Sequence, residues 1–253
     1  MYLLGDIGNT DIKIFLLNNS YTVKKKLTIK TNLLSNKYLS SKLKFLLKNK
    51  KKINKVIFSS VVPNAFILIR NFLKKKIKAK LIFEVKKINL KNLINIKVDR
   101  KQVGSDRIAN AVSVIDGKNN YIIIDFGTAT TFDVVVKNRY LGGIIAPGVN
   151  LSLQNLSSKA SLIPPINLSR VSSVIGTNTS KAVKSGFYWG YLGLIDNIVN
   201  LIKKQTRKSF KIILTGGLAH LFNNRIKFNS KIEKDLIING LIKIIKNLKK
   251  NAK

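Results

Sequence analysis

The sequence predicts an α/β protein made of two similar halves that face each other. Three observations carry this expectation. Short apolar runs alternate with segments of helical spacing along all 253 residues, which is the order of an α/β fold. LLGDIGNT (3–10) aligns with IIIDFGTA (122–129), setting Asp6 over Asp125 and Gly8 over Gly127. KVIFSSVVPNAF (55–66) aligns with KIILTGGLAHLF (211–222), in the same order along the chain. Asp-x-Gly alone is common, but two ordered matches, each on a strand followed by a turn, define an internal repeat. The expected division is 1–117 and 118–253, with an Asp-Gly turn from each half pointing into a cleft.

The elements follow in order. YLLGD (2–6) and IKIFLL (12–17) flank the turn formers Gly8, Asn9 and Thr10, the pattern of a hairpin. YTVKKKLTIK (21–30) predicts a third strand, and Leu33, Leu34, Leu43, Leu46 and Leu47 recur at helical spacing over 33–49. KVIFSSV (55–61) predicts a buried strand. Pro63, tolerated in a first helical turn, opens a helix to about Lys76, and LIFEV (81–85) is the next strand. Ser105 or Asp106 caps a helix through Val114. In the second half, YIIIDFGTATTFDVVV (121–136) reads strand, turn, strand, and RYLGGII (139–145) adds another strand. A Pro147-Gly148 break precedes a helix, a long helix runs from about Ser180 to Lys203, and KIILT (211–215) ends in Gly216-Gly217. An amphipathic helix from about Glu233 to Leu248 closes the chain.

Composition limits the chemistry. With 45% apolar residues the chain can bury a core. It holds no Cys, which excludes a disulfide framework, a thiolate nucleophile and Cys-ligated metals, and a single His220, which removes most His-based metal sites and His-dependent triads. The net charge of +36 suggests a polyanion partner, but only seven of the 47 basic residues are Arg, scattered at 70, 100, 107, 139, 170, 207 and 225. Arg is the residue that grips phosphates and bases bidentately, and a binding patch concentrates charge on one face. Lysine, asparagine and isoleucine instead crowd stretches such as KNKKKINK (48–55) and NLKKNAK (247–253), as AT-rich codons would dictate, so no nucleic-acid partner is expected. The apolar start meets Asp6 too early for a signal sequence, and no apolar run reaches the roughly 18 residues of a membrane span. A cytoplasmic protein without membrane contact is the expectation.

The chemistry therefore falls to carboxylates, hydroxyls, backbone amides and cations. An Asp at a strand end followed by Gly-Asn-Thr can hold Mg²⁺ through Asp6, directly or by way of water. Gly8 lets the backbone approach a phosphate, Asn9 and Thr10 donate to it, and Lys13 adds a cation. The same residues also suit an ordinary hairpin turn. DFGTATTFD (125–133) joins Asp125 to the hydroxyls of Thr128, Thr130 and Thr131, which suit a polyphosphate, or simply make a Thr-rich strand. In VGSDRIANAV (103–112), Asp106 can accept a proton from a substrate hydroxyl while Arg107 grips an anion; a helix-start Asp and a solvated Arg are the alternative. GGIIAPGVN (142–150) reads as a Gly/Pro-punctuated loop that could close over substrate, although Gly-Gly and Pro-Gly are primarily turn signals, and Gly216-Gly217 suits backbone approach by a nucleoside, or a helix C-cap or tight turn. IGTNTS (175–180) offers hydroxyls to a ligand, unless Asn178 and Thr179 are only caps. Trp189 and Tyr191 are expected in a core or a subunit interface, and His220 in packing or on the surface.

DIGNTDIK (6–13), GSDR (104–107), DFGTATTFD (125–133), GGIIAPG (142–148) and TGGLA (215–219) stand in the order and spacing of the type III pantothenate kinases. The chain resembles that family, within the acetate and sugar kinase/Hsp70/actin superfamily, over nearly its whole length. The resemblance implies two halves of the actin-like ATPase (ribonuclease H-like) fold across an ATP cleft. It also implies ATP-dependent phosphorylation of pantothenate to 4'-phosphopantothenate, the first step of coenzyme A synthesis, by a cytoplasmic homodimer using ATP with Mg²⁺. Carried over by position, Asp6, Ile7, Gly8, Asn9, Thr10, Asp11, Ile12 and Lys13 form the first ATP-phosphate loop, with Asp6 toward Mg²⁺, and Thr128 contacts ATP from the second. Asp106 is the implied general base, with Gly104, Ser105 and Arg107 completing the pantothenate site and Thr179 reaching pantothenate across the dimer. Asp125 is the implied ligand of a monovalent cation, K⁺ or NH₄⁺. Ser105 replaces the usual Ala, and IKVDRKQVG (96–104) lacks the family's tyrosine and Asn-Pro pair. A non-catalytic regulator or nucleic-acid binder of the same fold, or a superfamily kinase or phosphohydrolase with another substrate, are the alternatives.

Overall fold

The computed structural model describes residues 1–48, 53, 55–79 and 81–250. The last residue of the helix expected over 33–49, much of the basic stretch 48–55 and the final residues 251–253 lie outside them. The chain forms two compact units, Met1–Ile115 with Asp235–Lys253, and Asp116–Lys234.

In the first unit, β1 (Tyr2–Ile7) pairs antiparallel with β2 (Asp11–Leu17), which pairs antiparallel with β3 (Val23–Lys30). On its other side β1 runs parallel to β4 (Lys55–Ser60), and β4 parallel to β5 (Ile82–Glu84), so the order is β3-β2-β1-β4-β5. A two-residue strand, β6 (Asn95–Ile96), follows. Leu3, Ile7, Ile12, Ile14, Val56 and Phe58 share one buried face with Leu39, Leu46, Ile69 and Phe72. Those last four come from α1 (Asn36–Lys42), α2 (Lys44–Lys48) and α3 (Pro63–Phe72). The single helix expected over 33–49 is therefore broken. Ser35 caps α1 through its side chain, and Leu43 leaves helical geometry (φ −100°, ψ 14°), which keeps Leu39, Leu43 and Leu46 all inside the core. Pro63 does open α3, whose last turn widens into a π-helical turn at Leu73–Ile77. α4 (Ser105–Val114) follows at the expected place.

The second unit repeats this topology. β7 (Asn120–Phe126) is antiparallel to β8 (Ala129–Val136), β8 antiparallel to β9 (Arg139–Pro147), β7 parallel to β10 (Lys211–Gly216), and β10 parallel to β11 (Ser230–Ile232). The order β9-β8-β7-β10-β11 matches β3-β2-β1-β4-β5 strand for strand. Helices α5 (Val149–Lys159), α6 (Thr179–Thr206) and α7 (Ala219–Phe222) bury Val149, Leu153, Tyr188, Leu192, Ile195 and Phe222 against Ile122, Ile124, Phe132 and Leu214. GGIIAPGVN is strand and helix start rather than a closing loop, because Gly142 to Pro147 pair with Ala129 to Val134.

The chain then returns to the first unit. α8 (Leu236–Lys250) buries Leu236, Leu241, Ile244 and Ile245 and packs on α4, β1 and β4. The division expected at 117/118 groups this helix with the second half; its contacts group it with the first. Its apolar stripe fits the face of β1 and β4 opposite α1–α3. Lys243 Nζ also donates to the carbonyls of Ser113 (2.6 Å) and Ile115 (2.9 Å), satisfying the open end of α4. A β-carbon built at Gly240 would overlap the Ala109 carbonyl of α4. Gly240→Ala therefore sets two effects against each other. Helix propensity favours Ala by about 1 kcal/mol, while overpacking against unyielding backbone costs about 1–3 kcal/mol. A lower urea midpoint is expected; a raised one would show that the two helices yield.

Candidate active site

The first turn is built on β1. Asp6 lies one residue before the strand's end, beside Lys13 of β2 and Ser59 of β4. Ile7 and Ile12 are fully buried, so within the expected ATP loop only their backbone can meet a ligand. Gly8 N–H donates to the Asp11 carbonyl (3.0 Å), closing the turn. A second layer holds it: Thr31 Oγ1 donates to the Gly8 carbonyl (2.7 Å) and Thr31 N–H to the Thr10 carbonyl (3.0 Å). The Asp11 carboxylate is engaged by Lys30 Nζ at 2.8 Å and serves the hairpin. Asn9, Thr10 and Lys13 are exposed, and Asp6 is half-buried. The result is an oxygen ligand, amide and hydroxyl donors and one ammonium on a rigid turn.

The start of α4 differs from the expected cap. The N-cap residue is Gly104, and no side chain caps the helix. Ser105, fully buried, donates instead to Glu84 at the end of β5, whose other oxygen accepts from Lys86 N–H at 2.9 Å. Asp106 accepts the Arg107 N–H at 2.8 Å, and its Oδ1 occupies the space a side chain at 104 would need. Protein surrounds the Asp106 carboxyl on most sides. This burial pushes its pKa up, against the pull of the Arg107 N–H and guanidinium and of Lys86. A carboxylate tuned upward by burial is a poised proton acceptor. The preceding IKVDRKQVG stretch is stapled down: Arg100 donates to the carbonyls of Val85 (2.9 Å) and Ile88, and Asp99 accepts from Lys101 N–H (2.9 Å) and Gln102 Nε2 (3.0 Å). Sequence reasoning missed Glu84. Its signal was a lone acid in the apolar strand IFEV.

The second turn mirrors the first. Asp125 lies one residue before the end of β7, between Thr131 of β8 and Thr215 of β10. Gly216 has φ +87°, a left-handed conformation that glycine adopts without strain, and a β-carbon there would lie 2.7 Å from Asp125 Oδ1. Gly148, the N-cap residue of α5, sits directly on the Thr128 carbonyl. Thr128 is exposed, but Thr130 is fully buried, so it is not among the hydroxyls offered by the turn. Asp133 is buried too and accepts the Tyr140 hydroxyl at 2.6 Å inside the unit. Tyr191 stacks on Phe187 and donates to the Pro147 carbonyl at 2.9 Å, anchoring the β9–α5 junction.

Thr179 is exposed in the first turn of α6, and Asn178 is the cap, accepting Lys181 N–H at 2.9 Å. His220 is exposed, with Nδ1 3.1 Å from the Gly217 carbonyl. Among the described residues no three His, Cys, Asp or Glu side chains gather into a metal cluster. A single carboxylate on an open turn, as at Asp6, still fits Mg²⁺, which takes most of its ligands from water and substrate phosphates. At Asp125, Gly216 leaves free the space beside Oδ1 that a β-carbon would fill. No helix among the described residues is long and apolar enough to cross a membrane.

Residues 2–201 match the family model described as type III pantothenate kinase. The type III pantothenate kinase of Pelagibacter ubique (strain HTCC1062) is 54% identical over 243 residues, spanning 96% of this chain and 98% of that one. That of Koribacter versatilis (strain Ellin345) is 34% identical over 95% of this chain and 93% of its own. A crystal structure from Campylobacter jejuni, provisionally described as a Baf family transcriptional activator, superposes with TM-score 0.65 at 21% identity, covering 98% and 99% of the two chains. A Porphyromonas gingivalis chain provisionally described as an N-acetylglucosamine kinase gives 0.54 at 13% identity, over 98% and 99%. At these identities the structural likeness is one of fold alone.

Proposed function

Because the chain belongs to the type III pantothenate kinase family, an enzyme family of phosphotransferases, we propose that it phosphorylates the primary hydroxyl of pantothenate with ATP, in the first step of coenzyme A synthesis. The observation that carries the reading is Asp106: a carboxyl tuned upward by burial at the start of α4, with Arg107 next to it. Asp106 accepts the hydroxyl proton as the oxygen attacks the γ-phosphorus in line, the bond from that phosphorus to the β,γ-bridging oxygen breaks and ADP leaves, and Arg107 grips the pantothenate carboxylate. Gly104 and Ser105 complete this pocket, Ser105 by way of its bond to Glu84. The Asp6–Lys13 turn contacts ATP phosphates through the Gly8–Thr10 amides, the Asn9 and Thr10 side chains and Lys13. Thr128 contacts ATP phosphate from its own turn. Asp6 would hold Mg²⁺, directly or through water, and the ion would supply neutralisation of phosphate charge. Asp125 would hold K⁺ or NH₄⁺.

The protein is proposed to work in the cytoplasm as a homodimer, with Thr179 reaching pantothenate of the partner. One assay tests the function: ATP consumption with and without pantothenate, with K⁺ varied. Turnover that needs pantothenate and rises with K⁺ is expected. Pantothenate-independent hydrolysis would point to a phosphohydrolase instead, and silence under all conditions to a regulator.

A further inference from the structure

The aspartate of each turn has the same kind of neighbour. Asp6 is in register with Ser59 on the parallel strand β4, and Asp125 with Thr215 on the parallel strand β10. Register partners on adjacent strands project to the same face, so each hydroxyl stands next to its carboxylate. Both are withdrawn from solvent, Ser59 at 0% exposure and Thr215 at 5%. Around them the repeat has diverged: Phe58 and Ser60 flank the serine, Leu214 and Gly216 the threonine. The hydroxyl persists where its neighbours do not.

Ser59 Oγ has no hydrogen-bond partner among the described residues. Leaving a buried hydroxyl unpaired is destabilising, and alanine would fill the same space without that cost. A hydroxyl also has a property a lysine lacks at such a place. It donates to one carboxylate oxygen, fixing the group's orientation, without adding a positive charge that competes with a bound cation.

We propose that Ser59 and Thr215 are positioning residues, each donating its hydroxyl to the neighbouring aspartate when the cation and phosphate are bound, so that the carboxylate is held toward the turn. This rests on the reading of Asp6 and Asp125 as the cation-holding residues. Outer partners of this kind change metal affinity or activity about 10–100-fold.

The test compares Ser59→Ala, Thr215→Val and Thr215→Ser with Asp6→Asn and Asp125→Asn in the full-length chain. Half-saturating Mg²⁺ and K⁺ are measured in turnover, and again as the rise in thermal midpoint caused by MgATP or by KCl. Ser59→Ala is expected to raise half-saturating Mg²⁺ about tenfold and shrink the MgATP-induced shift. Its midpoint without ligand should stay level or rise, since an unpaired buried hydroxyl is removed. Thr215→Val is expected to do the same for K⁺, and Thr215→Ser to retain the wild-type dependence. A loss of unliganded stability with unchanged cation dependence would make the hydroxyls merely structural and overturn the proposal. If the aspartate variants shift the cation dependences and the hydroxyl variants do not, the proposal falls and the reading of the aspartates stands. If the aspartate variants themselves leave both dependences unchanged, both fall.

Discussion

Asp106→Asn is expected to lower kcat about 10³-fold, within the range general bases contribute, while ATP binding stays near wild type. Asparagine keeps the size and the hydrogen-bond acceptor for Arg107 N–H but cannot take a proton. The same change should stabilise the protein at neutral pH. Burial raises the folded-state pKa of Asp106 above its ordinary value of 3.8, more than the Arg107 N–H and guanidinium and Lys86 lower it. Its protonated form is therefore favoured by folding. That contribution is fully present below the unfolded pKa and is lost as pH rises through the folded one. At neutral pH the wild type carries the cost of a buried charge and the Asn variant does not, so the melting-temperature gap between them should widen as pH rises out of the acid range. The acid limb of kcat/KM should likewise sit above 3.8 in the wild type, because only the deprotonated carboxylate accepts the proton. Turnover of the variant within a few-fold of wild type would show that another group takes the proton.

Gly148→Ala should have the second-largest effect, on a residue that carries no functional group. A methyl at this position meets the Thr128 carbonyl, and the Thr128 carbon and Gly127 oxygen lie 2.6 and 2.7 Å from it. All three are backbone atoms of the turn that presents Thr128, so no side chain can swing aside. Either α5 retreats or the turn shifts by about 1 Å, and a misplacement of that size costs about 10²-fold in rate. Overpacking adds about 1–3 kcal/mol of destabilisation. Steady-state kinetics beside urea unfolding separates the two contributions. An alanine variant with wild-type kcat/KM for ATP would show that the turn's position is irrelevant to phosphate binding.

Much of this was legible in the residues. The β1–β2 and β7–β8 pairs announce themselves because short apolar runs bracket Gly8-Asn9 and Gly127-Thr128, and the repeat follows from them. β11 was not legible. Three residues, Ser230–Ile232, show no period, and only pairing with Ile212–Leu214 makes them a strand. The break at Leu43 was hidden because Leu43 and Leu46, both at helical spacing in the sequence, stay in the core across it, while Leu33 and Leu47 are exposed. The amphipathic stripe of α8 was plain, but a stripe states that a face is buried, not against which sheet. At the site, residue types predicted Asp6, Asp106 and Asp125 at strand ends or a helix start. They could not show that Ser105 turns to Glu84 or that Thr130 faces inward, since both depend on partners distant in sequence.

The return of α8 has a consequence for biosynthesis. The first unit is discontinuous: its strands β1–β5 leave the ribosome before residues 116–234, and the helix that covers β1 and β4 only after them. Residues 116–234 form an uninterrupted stretch able to complete its own sheet while the tail is still being synthesised. The second unit to be translated is thus the first that can finish folding, and the β1–β4 face waits, exposed, for α8. Such long-range closure slows folding and prolongs exposure of apolar surface. A chain stopped short of Leu236 would lose the cover of its oldest strands, not of its newest.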